Sequence, residues 1–326
     1  MRKDLLTISL IACTFNITLV SQAFGATLTQ TPDLDSVTLY AAGSLRGALS
    51  EVADSFTQEY GITVKSEFAS SGSLRERLEK GENADVFASA DTGNPIALSQ
   101  KNLSGTVKTF ASNSLYAIAV RRAFGIAPSS LSLTSDNLLD QLLNPQIKLG
   151  TAVPVRDPLG DYTQEIFRKA DQVRPGSFQI LDTKAVRLTG TLPPERNSPG
   201  GSIVYYLEDT NQADIYPVYY TSALSSVQIS PNLQIVPLPD NLAVKANYGL
   251  TVLKDANPYG EKLAQYILSP TGQQILAKYG FSKPSTPIPE PLSMSGIFLA
   301  AAIGIFLKKK STFGKKQQLK VSVHQS

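Results

Sequence analysis

Val37–Phe56, VTLYAAGSLRGALSEVADSF, decides how the rest of the chain is read. Val37, Leu39 and the alanines after Tyr40 read as a short buried strand. Gly43 then permits a tight turn. From Leu45 onward the apolar residues Leu45, Leu49, Val52, Ala53 and Phe56 recur at helical spacing. Ser44 stands at the junction, where a helix N-cap belongs. A strand that ends in a small-residue turn and opens a helix aims unpaired backbone N–H groups at one point. The helix dipole is positive there, so that point attracts anions.

The same unit recurs at once. Ile62–Phe68 reads as a strand, Ala69–Ser73 as a hydroxyl-rich turn, and Leu74–Lys80 as a helix. Ser73 and Glu76 have capping-box spacing, and Gly81 supplies the stop. Each serine turn alone reads as an ordinary N-cap contributing about 1 kcal/mol to its helix. Two of them, each following a strand, point to a shared ligand cleft.

Composition narrows the function. The chain has 326 residues, enough for one large or two modest domains. Its net charge of +3 is uneven. Of 30 Lys and Arg and 27 Asp and Glu, two bases and one acid lie in residues 1–25, and six bases without an acid lie in 292–326. The middle therefore holds 22 bases against 26 acids, which is no nucleic-acid footprint. The only cysteine is Cys13 and the only histidine is His324. No disulfide, zinc cluster or Ser–His–Asp set can form between them. Neither a phosphate-binding P-loop nor a dinucleotide fingerprint is present. Nothing in the sequence points to an enzyme or a cofactor.

Along the chain, residues 1–25 read as a secretory signal: Arg2 and Lys3, an apolar run, then Ala23-Phe24-Gly25 as the cleavage site. Leu10-Ile11-Ala12-Cys13 resembles a lipoprotein box but follows too short a leader, so cleavage near Gly25 is preferred. Strand candidates are 37–42, 62–68, 85–89, 115–120, 147–151, 214–220, 234–238 and 248–253. Helices fall between most of them, including 161–170 and 202–208, with 258–268 and 270–279 at the end. This alternation implies an α/β fold with mostly parallel sheets. The long stretch Thr189–Gly201 reads as a flap or a surface loop. Residues 282–291 are a stiff Pro-rich linker. Leu292–Leu307 is apolar and uncharged, about 24 Å as a helix against a hydrocarbon core of ~30 Å. A basic tail, 308–326, follows.

Several pieces in order carry a resemblance. They are Tyr40–Leu45, Phe68–Leu74, Ala84–Asp91, Asp157–Tyr162, Ala213–Tyr219, and Ser269–Gln273 with Tyr279–Phe281. Together they resemble bacterial periplasmic molybdate-binding proteins, the substrate-binding components of ABC transporters. The resemblance implies a two-lobed type II periplasmic binding fold over 37–281, with lobe one about 37–113 and 241–281 and lobe two about 114–240. In such folds ligands bind at strand carboxyl ends between lobes that close on a hinge. It further implies a monomer working with an ABC permease. Pro289-Glu290-Pro291, the apolar run and the lysines resemble a PEP-CTERM sorting signal handled by an exosortase, against the simpler reading of a C-terminal membrane anchor. Either way the protein is expected to be exported to the periplasm or cell surface.

The resemblance also implies a site for a tetrahedral dianion, molybdate or tungstate, which offers only acceptor oxygens and needs donors. Molybdenum enters only as the oxyanion, with no direct metal-ion site. Ser44 and Ser71 match the hydroxyl donors, Leu159 in Pro158-Leu159-Gly160 matches a backbone donor, and Tyr219 matches a tyrosine donor. A fifth contact falls either near Gly201-Ser202 or at Val186. Asp157 leaves the identity of the oxyanion open, because a carboxylate beside a dianion is repulsive unless it is protonated or the metal centre expands its coordination. Arg156 reads as an anion contact or as a partner of Asp157. The alternative function is oxyanion scavenging or a matrix role on the same fold without a transporter.

Overall fold

The structure, a computed structural model, describes residues 36–121, 133–190 and 201–284. The expected signal, the linker beyond Pro284, the apolar run 292–307 and the basic tail lie outside the described residues, as do residues 191–200 of the long loop. Among the described residues no helix is long and apolar enough to cross a membrane.

The first lobe is built by strict alternation: β1 (Ser36–Ala42), α1 (Arg46–Tyr60), β2 (Thr63–Ala69), α2 (Ser71–Glu79), β3 (Val86–Ser89) and α3 (Gly93–Gln100). α1 buries Ala48, Leu49, Val52, Ala53 and Phe56, the stripe its 3.6-residue period requires. β4 (Lys108–Val120) leaves this lobe for the second. There follow α4 (Leu138–Leu143), β5 (Gly150–Ala152), α5 (Pro158–Val173), α6 (Ser177–Lys184), β6 (Val186–Thr189), α7 (Gly201–Val204), β7 (Ile215–Tyr219), α8 (Tyr220–Ile229) and β8 (Leu233–Pro237). β9 (Lys245–Val252), α9 (Pro258–Leu268) and α10 (Pro270–Lys278) return to the first lobe, where α9 and α10 pack on α1. The helices α5, α9 and α10 each begin with a cap–Pro pair. Asp157, Asn257 and Ser269 accept a first-turn N–H, and the following proline has no N–H to satisfy.

The strand order is β2-β1-β3-β9-β4-β7, with β8 on β4. β4 joins the lobes. Lys108–Ser114 pairs with β9, and Leu115–Val120 pairs with β7 on one side and β8 on the other. β5 and β6 pair in parallel, and a parallel bridge from Leu149 to Ile215 links them to β7. In the first lobe every strand but β9 runs one way; in the second, every strand but β4 does. The architecture is thus the expected two-lobed α/β fold, each sheet carrying an antiparallel member.

Three elements differ from the sequence reading. β4 is longer than expected, because its first half, Lys108–Ser114, pairs with β9 across an irregularity at Phe110 although it carries Ser112 and Asn113, both buried. β6 has only four residues and begins with an exposed valine, so its alternation is too short to read. The helix expected over 202–208 is a short α7 followed by a π-turn, Tyr205–Asp209.

Candidate functional site

The ends of β1, β2 and β3 in one lobe and of β5 and β7 in the other face a common cleft, the position that parallel strand order dictates. Ser71 is wholly buried at the start of α2 and does not cap it; Ser70 occupies the cap position. The expected capping box is absent because the helix starts two residues before Ser73, whose Oγ instead accepts from Ser70 Oγ at 2.8 Å. Ser71 Oγ accepts the Ala90 N–H at 3.0 Å, from the turn after β3. One lone pair is therefore filled by protein, and the hydroxyl proton remains available to an acceptor.

Ser44 also departs from its expected capping role. A 3-10 turn, Gly43–Leu45, separates β1 from α1, and the cap position falls to Leu45. Ser44 is half-buried, and its Oγ lies 2.9 Å from Tyr248 Oη of β9.

Tyr219 ends β7 and stands at the cap position of α8. Its hydroxyl is buried and has no hydrogen-bond partner among the described residues. The ring is held edge-on by Tyr162 and Tyr248, with centroids 6.3 Å and 5.7 Å away. Burial pushes the phenol pKa well above its ordinary value, and the neighbouring Tyr248 and Asp157 push the same way, so the group keeps its proton. An orphaned buried hydroxyl costs about 1–3 kcal/mol, which a ligand acceptor would offset.

The second-lobe turn is arranged differently from expectation. The Leu159 N–H donates to Asp157 Oδ1 at 3.0 Å, so the amide matched to the anion already has an acceptor. Asp157 places a carboxylate at the dipole-positive start of α5. Gly160 donates its N–H to Asp157 O at 2.8 Å. A Cβ on Gly160 would lie 2.6 Å from Pro154 N and 2.8 Å from Ala152 O, so glycine lets α5 start hard against the end of β5. The Val186 N–H is taken by Leu149 O at 2.8 Å and its side chain is exposed, which commits that residue to the β5–β6 pairing. Gly201 and Ser202 open α7, which packs on α8, the helix that follows Tyr219. Arg156 does not pair with Asp157; its guanidinium reaches Glu76 of α2 at 3.6 Å and donates to Ser73 Oγ at 3.5 Å.

The structure therefore gathers Ser44, Ser71 and Tyr219 with Asp157 nearby, and adds groups that sequence reading did not select. These are Tyr248, Asn113 and Tyr162. Tyr162 Oη donates across the cleft to Ala90 O at 3.4 Å. The Gly72 N–H donates to Arg156 O at 2.9 Å, so the two lobes touch directly beside Ser71. Elsewhere, a cavity of about 230 Å³ lies at the opposite, N-terminal ends of β1 and β3. Two of the acids that line it are satisfied internally: Glu82 by Arg77 and Tyr40, and Asp85 by Thr38 N and Asn257. Among the described residues no cluster of His, Cys, Asp and Glu suits a metal ion.

The profile of the bacterial extracellular solute-binding protein family matches residues 37–282. The chain belongs to that family. Among relatives of this solute-binding protein, "Uncharacterized protein PM1146" of Pasteurella multocida is 30% identical over 249 residues, covering 74% of this chain and 97% of the relative. The molybdate-binding protein ModA of Escherichia coli is 28% identical over 253 residues, 77% of this chain and 90% of that one. In fold, the sulfate-binding protein SubI of Mycobacterium tuberculosis superposes with a TM-score of 0.61 at 17% identity, covering 77% of this chain and 88% of its own. At that identity the likeness concerns the two-lobed fold alone.

Proposed function

We propose that this solute-binding protein captures molybdate or tungstate outside the cytoplasm and hands it to an ABC permease, as a monomer whose lobes close on the ion. The observation that carries the reading is the Tyr219 hydroxyl, buried, protonated and without a partner among the described residues, at the end of β7 in the second lobe. Ser71 supports it, because its lone pair is filled by Ala90 N–H and its proton is left to an acceptor. The similarity to a molybdate-binding relative supports the choice of ion. Hydrogen bonds to a charged group contribute about 1.5–3 kcal/mol each, so Ser44, Ser71, Tyr219 and backbone amides can reach the ~8 kcal/mol of a micromolar site. The proposal includes an N-terminal export signal and retention at the membrane through the C-terminal apolar run, with or without exosortase processing.

Isothermal calorimetry of the full-length protein against molybdate, tungstate, sulfate and phosphate tests the reading. Molybdate or tungstate is expected to bind with a Kd of about 1 µM or tighter and to outcompete sulfate. Tighter binding of sulfate or phosphate, or no binding of any of the four, overturns the choice of ion.

A further inference from the structure

We propose that Tyr248 and Asn113 are positioning residues that turn the Ser44 hydroxyl proton toward the ligand, making Ser44 a donor to an oxyanion. The inference rests on the reading of the cleft given above. Tyr248 is fully buried in β9, and its ring is wedged between Phe110, Phe281 and Tyr219 with centroids 6.3, 5.3 and 5.7 Å away. Its hydroxyl therefore has a fixed place. Asn113 is 2% exposed and lies in β4 at the crossing between the lobes. Its Nδ2 donates to Thr221 Oγ1 at 2.9 Å and to Tyr248 Oη at 3.4 Å.

The direction of the chain follows from counting protons. A phenol has one proton to give and can also accept. Asn113 donates to Tyr248 Oη, and burial, the largest influence on this phenol, keeps it protonated. The phenol proton then goes to Ser44 Oγ at 2.9 Å. A serine hydroxyl that accepts this bond still has its own proton, and the cleft is where that proton can be used. With the Asn113 amide oriented so that Nδ2 faces Tyr248 Oη and Thr221 Oγ1, its Oδ1 points away and is itself unpartnered, and the reverse direction would leave the Tyr248 proton without an acceptor among the described residues, which is the costly arrangement. Ser71 follows the same pattern, with Ala90 N–H as the donor. Both serines of the first lobe thus have a lone pair filled by protein and a proton facing out. The chain Asn113–Tyr248–Ser44 is further strengthened because successive hydrogen bonds polarise one another in a low dielectric.

A double-mutant cycle on the full-length protein tests this, read by calorimetry with whichever of molybdate, tungstate, sulfate and phosphate binds the wild type most tightly. Tyr248→Phe keeps the ring and removes the hydroxyl. It is expected to weaken binding about tenfold when Ser44 is present and less than about twofold in the Ser44→Ala background. Asn113→Leu serves as a second route to the same relay, with the same dependence on Ser44. Equal losses in both backgrounds, or unchanged affinity in Tyr248→Phe and Asn113→Leu, overturn the relay while leaving the oxyanion reading in place. A wild type that binds none of the four anions overturns the functional reading, and the relay falls with it.

Discussion

Replacing Tyr219 with phenylalanine should move binding and stability in opposite directions. The hydroxyl is buried and has no partner among the described residues, so the ligand-free protein carries the cost of desolvating it, about 1–3 kcal/mol. The ring itself is held by Tyr162 and Tyr248 and stays in place in the variant. Tyr219→Phe should therefore leave the free protein as stable as wild type or more so. In the complex the same hydroxyl makes a hydrogen bond to a charged oxygen, whose loss costs about 1.5–3 kcal/mol. At about 1.4 kcal/mol per factor of ten, Kd should rise roughly 10- to 150-fold.

Thermal melting with and without oxyanion makes the contrast visible. A ligand at 1,000 times the wild-type Kd stabilises by ~4.1 kcal/mol. A variant bound about 100-fold more weakly would gain only about 1.4 kcal/mol at the same concentration. The expected result is an equal or higher melting temperature without ligand and a much smaller ligand-induced rise. Lower stability of the free variant, together with unchanged affinity by calorimetry, would refute the reasoning and make Tyr219 an ordinary core tyrosine.

Two further substitutions address the closing of the lobes and the charge at the cleft. Gly72→Ala places a Cβ 2.4 Å from Val155 O and 2.6 Å from Arg156 O, both backbone atoms of the other lobe, so it should wedge the lobes apart. A clash of about 1–3 kcal/mol paid only on closure weakens binding roughly 5- to 150-fold and abolishes ligand-dependent compaction in small-angle scattering; wild-type affinity would show that the lobes need not meet there. Asp157→Asn preserves the cap on Leu159 N–H and removes a negative charge beside the anion, so calorimetry at low salt should show tighter molybdate binding by about tenfold. Weaker binding would identify Asp157 as a ligand to the metal centre.

The sequence made the architecture legible because the signals are local. The α1 stripe Leu49–Val52–Ala53–Phe56 depends on neighbours within a turn or two, while the start of α5 at Pro158, three residues before the expected 161, shows that its cap was not read. The serine turns were legible as places but not as roles. Ser44 was expected to cap a helix; a 3-10 turn displaced it, and its partner Tyr248 lies 204 residues away. The same limit hid Asn113, a buried polar residue in the half of β4 that precedes the expected strand 115–120. The amide at Leu159 could be located by its motif, but its capture by Asp157 depends on the cap geometry of this particular turn. Val186 matched a pattern, while its N–H was committed to Leu149 by a strand of only four residues.

On the oxyanion reading, adjacent residues at the start of α2 would couple binding to closure. Ser71 has its proton free for the anion, and Gly72 gives its N–H to Arg156 O across the cleft. The second-lobe turn that meets Gly72 is strained. Val155 has φ +70, a conformation that a β-branched residue adopts only at a cost of about 1–3 kcal/mol. Its N–H is held by both carboxylate oxygens of Asp161, at 3.0 and 3.1 Å, which fixes the turn and aims the carbonyls of Val155 and Arg156 at the first lobe. Only a residue without a side chain fits opposite them. An anion that draws Ser71 and Tyr219 together therefore also seats Gly72 under that turn, and the turn's rigidity makes the fit close to all-or-none. On the oxyanion reading, the selectivity of the cleft should be set in part by whether an ion is the right size to let Gly72 and Arg156 meet, rather than by its contacts alone.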